Sequence, residues 1–259
     1  MGRTWAGWSS TRRPHSAAES AELTKAAGGP TAIVGAMEEE VARLRAAIVA
    51  PRAARSGPFE WVAGELEGVP VLLAECGIGK VNASALTQAL LEAGAVRIVF
   101  TGVAGAVDPR LRVGDVVIGV DAVQHDVDVT GLGYAPGEVP GSGRVWASDP
   151  ELCEAAAAAA EELGDGGVMR GRVASGDVFV TDQALVERLR SEFGAACAEM
   201  EGGAVAQVCA RWGVPFVIIR SISDNADHSA QVDFRSFTKV AARRSEAVVR
   251  GLLRRLPAA

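Results

Sequence analysis

The amino-acid sequence predicts a three-layer αβα sandwich, in which helices cover both faces of a central mixed, mostly parallel sheet. Apolar runs of strand length alternate with helical segments along most of the chain, and this alternation is typical of α/β domains. Hydrophobic residues make up 49% of the chain but aromatic residues only 5%, which favours close packing of helices on a sheet. We expect one domain over residues 31–259, preceded by a disordered extension over residues 1–30.

The first elements are a strand, a helix and a hairpin. Residues 31–36 form an apolar run of strand type, and the helical segment 37–44 has three glutamates in its first turn, where the helix dipole favours acids. Residues 60–66 and 69–75 form two strands around the turn Glu67-Gly68.

Two glycine-containing segments follow, and neither matches a nucleotide-binding motif. Residues 77–80 resemble part of a phosphate-binding loop, but the first glycine is missing and Val81 replaces the required Ser or Thr. We interpret them as a turn before a helix at 80–93. Residues 96–100 form a buried strand that ends in a small-residue turn at 101–106, which lacks the dinucleotide fingerprint. The sequence therefore disfavours nucleoside triphosphates and NAD as ligands.

The second half continues this alternation around one long loop. The loop, residues 124–146, exceeds ordinary connections in length, which indicates a functional or interfacial role. Its His125, Asp126 and Asp128 have too few partners to predict a metal site. The other elements are strands at 115–120, 168–174 and 215–220 and helices at 149–163, 182–190, 202–211 and 233–253.

Charge and cysteine content narrow the functional classes. The net charge is -6, and the arginine pairs at 243–244 and 254–255 lie on a helix where we expect a solvated face, so no nucleic-acid partner is predicted. The four cysteines show no CxxC spacing, which favours reduced thiols in a cytoplasmic protein without zinc. No segment reaches the roughly 18 apolar residues of a membrane span, so no membrane partner is expected.

Three carboxylates are predicted to meet at one edge of the sheet. Glu40 lies one turn after a strand, Glu201 lies between a strand and a helix, and Asp224 follows a strand end. Crowded carboxylates repel each other, so at least one should keep its proton near neutral pH. An acid and a base in one pocket suit cleavage of a glycosidic bond. A magnesium site is the alternative, but it usually accompanies a phosphate cradle, which the sequence lacks.

The neighbours of these acids suggest supporting roles. We expect Glu199 and Glu201 to share one face of a strand and Met200 to lie on the other. Glu199 is interpreted as a supporting or structural acid. Arg220, at the end of a core strand, could bind phosphate or orient a carboxylate.

Six short motifs occur in a fixed order along the chain. They are Gly35-Ala36-Met37-Glu38-Glu39-Glu40, Gly77-Ile78-Gly79-Lys80-Val81-Asn82, Thr101-Gly102-Val103-Ala104-Gly105, Ser175-Gly176-Asp177, Glu199-Met200-Glu201 and Ser221-Ile222-Ser223-Asp224. In this order they resemble the 5'-methylthioadenosine/S-adenosylhomocysteine nucleosidases of the nucleoside phosphorylase superfamily, over about residues 31–253. The resemblance implies a nucleoside phosphorylase-like fold.

It also implies a hydrolase that splits both nucleosides into adenine and a 5-thioribose product without a cofactor. Glu40 would activate water, Asp224 would protonate the purine at N7, and Glu201 would bind the ribose hydroxyls, with Arg220 near the water and ribose. Further substrate contacts implied by the resemblance are Met37, Ile78, Phe179 (stacked on adenine), Val180 (its backbone on the base edge), Met200, Ser223 (orienting Asp224) and Phe234.

The resemblance further implies a homodimer, in which the 124–146 loop completes the neighbouring subunit's site. Val129, Leu132 and Pro140 would surround the 5'-alkylthio group there. The chain departs from the family pattern at Val103, where relatives have Ser, and at Leu132, where Phe is common. Gly202-Gly203 replaces bulkier residues, which should loosen the pocket floor.

Three alternatives to this function stay open. The chain could be a related hydrolase with another 5' substituent, such as a futalosine hydrolase, or a phosphorylase. It could also be a nucleoside-binding protein that has lost catalysis, although Glu40, Glu201 and Asp224 are all present.

Overall fold

The computed structural model of the chain describes residues 28–226 and 230–256, and the side chains of the last helix from residue 242 onward. Almost all of the predicted extension, residues 1–30, lies outside the described residues. The division of the chain into an extension and a single domain stays a prediction.

The described residues contain ten strands and six α-helices. The strands are β1 (Thr31–Gly35), β2 (Val49–Ser56), β3 (Phe59–Leu66), β4 (Val69–Glu75), β5 (Arg97–Ala106), β6 (Val116–Gln124), β7 (Val145–Ala147), β8 (Val168–Ser175), β9 (Ala195–Glu199) and β10 (Phe216–Asp224). The helices are α1 (Glu38–Ala47), α2 (Lys80–Glu92), α3 (Pro150–Leu163), α4 (Gln183–Phe193), α5 (Gly202–Trp212) and α6 (Ala230–Leu253).

The strands form one mixed sheet. β1 lies parallel to β4 and to β5, and β5 lies parallel to β10. β10 pairs antiparallel with β6, β6 and β9 each pair parallel with β8, and β9 returns antiparallel to β5. Five strands, β5, β10, β6, β8 and β9, therefore close into a ring, and β1, β4, β3 and β2 extend from β5 as an open wing.

The closed ring brings strand ends together. β5 and β9 pair over only two residues each: Gly105 pairs with Ala198, and Ala106 pairs with Cys197. These residues lie near the C-terminal ends of both strands, although the strands run in opposite directions. The ends of β5, β9 and β10 thus meet at one place, which is where the carboxylates lie.

Helices cover both faces of the sheet, as alternate residues of β1 illustrate. Ala32 and Val34 pack into the core beneath α2 and α5. Ile33, on the opposite face, packs into the core beneath α1, α3 and α6. This arrangement confirms the predicted three-layer αβα sandwich.

Local capping sets the bounds of the helices as the sequence predicted. The backbone N–H of Leu152 donates to the Asp149 carboxylate at 3.0 Å, and Pro150 occupies the first position of α3. The helix ends at Gly164, whose φ of 65° is left-handed and favours glycine. The predicted hairpin is also present, with Glu67-Gly68 between β3 and β4.

Two strands that carry the site are longer than predicted. β5 runs on to Ala106, so the segment 101–106 is strand rather than turn, because its backbone pairs with β10 and β9. β10 continues past Arg220, so Asp224 is the last residue of the strand. Small residues in β5 gave a turn-like pattern, but here they allow neighbouring groups to approach the backbone.

One strand was missed, and two other predictions were wrong. β2 was not predicted, because its mostly exposed residues lack an apolar pattern. Arg244 is not on a solvated face: it is buried and donates to the carbonyls of Gly114 and Asp165. Gly203 does not loosen a pocket floor, since a Cβ there would lie 3.0 Å from both Gln124 and Ser175.

Candidate active site

One cavity lies where the ends of β1, β5, β9 and β10 meet. Its volume is about 300 Å³. Its walls are mostly apolar, with three glutamates, one aspartate and one serine among them. The lining residues are Ala36, Met37, Glu40, Ile78, Val103, Ala104, Gly105, Val178, Phe179, Val180, Ala198, Glu199, Met200, Glu201, Ser223 and Asp224.

Glu40 is buried and is held by backbone donors. The N–H groups of Ala36 and Met37 donate to its Oε2 at 2.7 and 2.9 Å, and the N–H of Val103 donates to Oε1 at 3.0 Å. As the third residue of α1, Glu40 also caps its own helix. Burial raises its pKa above the usual range, while Arg220 and the three backbone donors oppose that rise. The carboxylate is thus a base held in a fixed orientation.

Glu201 titrates near neutral pH. It precedes α5, and its Oε1 accepts a hydrogen bond from the N–H of Gly79 at 2.8 Å. Burial, followed by repulsion from Glu199, raises its pKa to about 7, against the attraction of Arg220. This agrees with the prediction that one of the crowded carboxylates keeps its proton near neutral pH.

Glu199 does not share a strand face with Glu201. β9 ends at Glu199, and the chain then bends, so that Glu201 is the residue before the first turn of α5. The strand expectation was wrong because the glycines after Glu201 start a helix immediately.

Asp224 is buried at the end of β10, and both carboxylate oxygens have donors. The hydroxyl of Ser223 donates to Oδ2 at 2.9 Å, and the N–H of Ala226 donates to Oδ1 at 2.8 Å. The Ser223 contact is the one that the family resemblance implies. The carboxyl group is therefore fixed at the cavity wall.

Two glycines of β5 make room for these acids. A Cβ at position 102 would lie 2.6 Å from Glu40 Oε1 and 2.8 Å from Arg220 Nη1. A Cβ at position 105 would lie 2.8 Å from Asp224 Oδ1. A Cβ does not approach another heavy atom this closely in real proteins, so any larger residue would displace a carboxylate. The glycines of the 101–105 motif thus admit protein side chains to the strand backbone.

Arg220 lies behind the cavity and is fully buried. Its Nη2 donates to Glu199 Oε2 at 2.5 Å, and its guanidinium carbon lies 4.1 Å from the ring centre of Phe100. Burial lowers its pKa, but Glu199, Glu40 and Glu201 together raise it further, so the group stays charged. It is the cation that faces all three glutamates.

Exposed apolar side chains, Val178 among them, line part of the cavity. Ile78, from the turn before α2, is 55% exposed, and Phe179, from the segment after β8, is 42% exposed. Met37, Met200 and the buried Val180 complete this apolar part of the wall. The structure thus brings together nine of the residues that the resemblance implied.

Four further implied residues come from α6 and from the 124–146 loop. Phe234 lies in α6, where its side chain is outside the described residues. Val129, Leu132 and Pro140 belong to the 124–146 loop and do not line the cavity in the described part of the chain. Leu132 is 77% exposed.

The sequence analysis missed a polar network behind the cavity mouth. Lys80 Nζ donates to Asp126 Oδ1 at 2.6 Å, and the Lys80 N–H donates to Asp177 Oδ1 at 2.8 Å. The Asp177 N–H donates in turn to Asp126 Oδ2 at 3.0 Å. These three bonds, which we call the mouth network, join the turn carrying Ile78 to the segment carrying Phe179. Lys80, Asp126 and Asp177 are far apart in sequence, and no sequence pattern indicated that they form this network.

Within residues 28–226 and 230–256, the described side chains form no cluster of His, Cys, Asp and Glu suited to a metal ion. Among the described helices, none is long and apolar enough to cross a membrane. The described cysteines are all free thiols.

A sheet covered on both faces, with buried carboxylates at its strand ends, defines a nucleoside phosphorylase-like protein. The sequence model of the phosphorylase superfamily matches residues 30–254. The 5'-methylthioadenosine/S-adenosylhomocysteine nucleosidase of Anoxybacillus flavithermus (strain DSM 21510 / WK1) is 44% identical over 227 residues, which are 87% of this chain and 98% of the relative.

Solved structures agree with this relationship. The nucleosidase of the same name from Neisseria meningitidis, in complex with methylthio-immucillin-A, superposes with a TM-score of 0.85 at 42% identity, over 88% of this chain and all of that one (100%). Futalosine hydrolase of Helicobacter pylori strain 26695 gives 0.83 at 32% identity, over 88% and 98%. The chain therefore belongs to the 5'-methylthioadenosine/S-adenosylhomocysteine nucleosidase family of the phosphorylase superfamily. This confirms the resemblance found in the sequence and the enzyme class, an N-ribosyl hydrolase.

Proposed function

We propose that this enzyme hydrolyses the N-glycosidic bond of 5'-methylthioadenosine and S-adenosylhomocysteine, releasing adenine and the 5-thioribose product. One observation carries the proposal: Glu40, Glu201 and Asp224, from three distant segments, line one mostly apolar cavity. Its volume of about 300 Å³ lies at the lower end of the range for small-molecule sites and suits a single nucleoside. The names of the relatives support the same substrates.

Glu40 is the base in this proposal. Burial raises its pKa, which makes the carboxylate a better proton acceptor than an exposed glutamate. It takes one proton from water as the water oxygen forms a bond to the anomeric carbon. The backbone donors hold the carboxylate in place, so that little reorganisation is needed during the step.

Asp224 is the acid. As the bond between the anomeric carbon and the purine nitrogen breaks, its electron pair moves into the purine ring, and Asp224 donates a proton at N7. The adenine leaves as a neutral base, and the proton taken by Glu40 balances the one given by Asp224. Ser223 fixes the orientation of the carboxyl group through its 2.9 Å hydrogen bond.

Glu201 binds the ribose hydroxyls. When ionised, it accepts their hydrogen bonds and stabilises the positive charge that develops on the sugar ring. Burial and repulsion from Glu199 raise its pKa to about 7, which places this ionisation near neutral pH. Arg220, which faces Glu40 and Glu201, balances the negative charge of the site.

The exposed wall binds the two ends of the substrate. Phe179 stacks on adenine, and the backbone of Val180 contacts the base edge. Met37, Ile78 and Met200 pack against the sugar and its 5' substituent. We place Phe234 on the same side of the site. Met37, Ile78, Phe179, Val180 and Met200 line the cavity, which supports their assignment.

We further propose a homodimer in the cytoplasm. The 124–146 loop of one subunit would complete the neighbouring site with Val129, Leu132 and Pro140. The 77% exposure of Leu132 supports this, because it leaves a large apolar side chain of this loop available to a partner subunit. Four free thiols suit a reducing compartment. Replacing Leu132 by Asp should shift the molecular mass in light scattering towards the monomer and raise KM.

A futalosine-type substrate is the second candidate, favoured by the structural match to the Helicobacter pylori hydrolase. A phosphorylase reaction is disfavoured because Glu40 presents a buried negative charge where phosphate would enter. A binding protein without catalysis is disfavoured because all three carboxylates are in place.

One experiment separates these functions. The protein is incubated with a panel of 5'-substituted adenosines and inosines, with and without phosphate, and free base is followed by chromatography. The proposal expects adenine and a free thioribose from both named substrates. Ribose-1-phosphate product would show a phosphorylase, preference for futalosine would show the second hydrolase, and tight binding without base release would show a binding protein.

A further inference from the structure

The buried carboxylate of Glu199 accepts hydrogen bonds from four donors. It is buried at the end of β9, where its Oε2 accepts from Gly202 N–H at 2.7 Å and from Arg220 Nη2 at 2.5 Å. The hydroxyl of Ser175 donates to its Oε1. The N–H of Glu201 lies 3.2 Å from Oε2. One carboxylate therefore joins the ends of β8 and β9, the start of α5 and the side chain of Arg220.

Arg220 has few other polar partners. Its Nε has none in the described residues, and its Nη1 makes only a long 3.4 Å contact with the carbonyl of Ile219. The Phe100 ring blocks one face of the guanidinium. Glu199 is thus its one short ion pair there, and the group would be free to turn towards Glu40 or Glu201 if that pair were lost.

We propose that Glu199 is a positioning residue, which holds Arg220 and the backbone of Glu201 in a fixed arrangement beside the cavity. By occupying Nη2, Glu199 keeps Arg220 from forming a direct ion pair with Glu40 or Glu201. Those two carboxylates then remain available to water and ribose. This proposal rests on the proposed function of the site.

The charges around Glu201 make the proposal measurable. Glu199 on β9 and Glu40 on α1 repel its negative form, Arg220 on β10 attracts it, and Cys76 and Asp224 also lie around the cavity. Neutralising Glu199 removes one repelling charge and leaves Arg220 uncompensated. Both changes favour ionised Glu201, so its titration moves to lower pH.

The test is Glu199→Gln, which keeps the shape and the acceptor for Arg220 and Gly202. We expect kcat/KM to fall roughly tenfold to hundredfold, the range seen when a partner that orients a functional side chain is lost. The acidic limb of the pH profile, near pH 7 in the natural enzyme, should move down by about one pH unit or more. A profile that stays in place while activity falls would show a structural role only.

Two variants separate charge from folding. Ser175→Ala leaves the Gly203 N–H without its 2.6 Å acceptor but keeps the charge of Glu199, so it should lose stability without moving the pH profile. Glu199→Asp keeps the charge but shortens the side chain, so kcat should fall while the inflection stays near its natural pH. If Glu199→Gln does not fold, a shifted inflection in Glu199→Asp would overturn the proposal.

A readout without turnover distinguishes this proposal from the proposed function. Urea unfolding of the natural protein and Glu199→Gln is followed from pH 4 to pH 8. The natural protein loses stability as the pH rises through the pKa of Glu201. In the variant this loss should finish at a lower pH, because the pKa of Glu201 in the folded state is lower. Identical ranges would overturn the role of Glu199, whereas absence of nucleoside cleavage with shifted ranges would overturn only the proposed function.

Discussion

The floor and the mouth of the cavity are built from polar groups in opposite ways. At the floor, Glu40, Glu199 and Arg220 are buried; each glutamate accepts several hydrogen bonds, and Arg220 pairs with Glu199. At the mouth, Lys80 and Asp126 form one ion pair whose side chains are 16% and 23% exposed. Buried charges are costly when a partner is removed, whereas water screens exposed ones. The floor is therefore suited to chemistry and the mouth to adjusting binding.

The largest expected effect is at the floor, in Asp224→Asn. The asparagine cannot donate an acidic proton to the leaving base, so kcat should fall roughly 10²–10⁴-fold with little change in KM. Adenine release measured over a range of substrate concentrations gives both constants. An unchanged kcat would remove Asp224 from the role of acid.

Glu40→Gln tests the base at the same end. An amide cannot take a proton from water, and its NH₂ would face a backbone donor, since both oxygens of Glu40 accept N–H groups. We expect kcat to fall roughly 10²–10⁴-fold and the free energy of unfolding to fall by about 1–3 kcal/mol.

The matched control is Glu39→Gln, one residue earlier and exposed. It makes the same chemical change without touching the cavity. Activity and urea unfolding should match the natural protein within error. Equal losses in both variants would mean that the charge of the helix start, rather than the base, is what matters.

The free energy of unfolding should depend on pH, because Glu201 at the floor has a raised pKa in the folded protein. Glu201 has a pKa of about 7 when folded and 4.5 as its ordinary value, so the folded state binds its proton more tightly. Stability from this group is full below about pH 4.5 and is lost as the pH rises through about 7. The loss should be about 3 kcal/mol. Urea unfolding of Glu201→Gln should lack that part of the decline, and an identical decline would assign it elsewhere.

The sequence revealed more of the floor than of the mouth. Glu40, Glu201 and Asp224 could be placed because each was predicted at or just after the end of a strand, and strand ends of such sheets share an edge. The partners of Glu199 could not, since Arg220 and Ser175 reach it only after β8, β9 and β10 close into a ring.

The mouth depends on longer-range geometry. Its network joins Lys80, Asp126 and Asp177, which are far apart in sequence and have no shared periodicity. The predicted end of β5 was wrong for a related reason. The glycines in β5 were interpreted as a turn, whereas position 102 is small because Glu40 and Arg220 approach its backbone. A single sequence shows that a residue is small but not what lies against it.

Lys80→Met should have a smaller effect than any floor variant. Losing the ammonium frees Asp126 and loosens the link between the segments carrying Ile78 and Phe179. KM should rise a few-fold while kcat stays within about twofold, since exposed ion pairs contribute roughly 0.2–1 kcal/mol. A double-mutant cycle with Asp126→Asn should give a coupling energy in that range. A large drop in kcat would show that the mouth also orients the reacting groups.

The smallest effect is expected for Val103→Ser, which restores the hydroxyl that relatives are expected to have. The contact that Val103 makes with Glu40 comes from its backbone N–H, at 3.0 Å, and the substitution leaves it unchanged. The new hydroxyl would add one hydrogen bond for the attacking water at a floor whose base is already held by three backbone donors. We therefore expect kcat and KM each to change by no more than about twofold, the effect of one added hydrogen bond that contributes roughly 0.5 kcal/mol. A larger rise in kcat would mean that the backbone donors do not position the base sufficiently. The reaction would then depend on a side-chain hydroxyl at position 103.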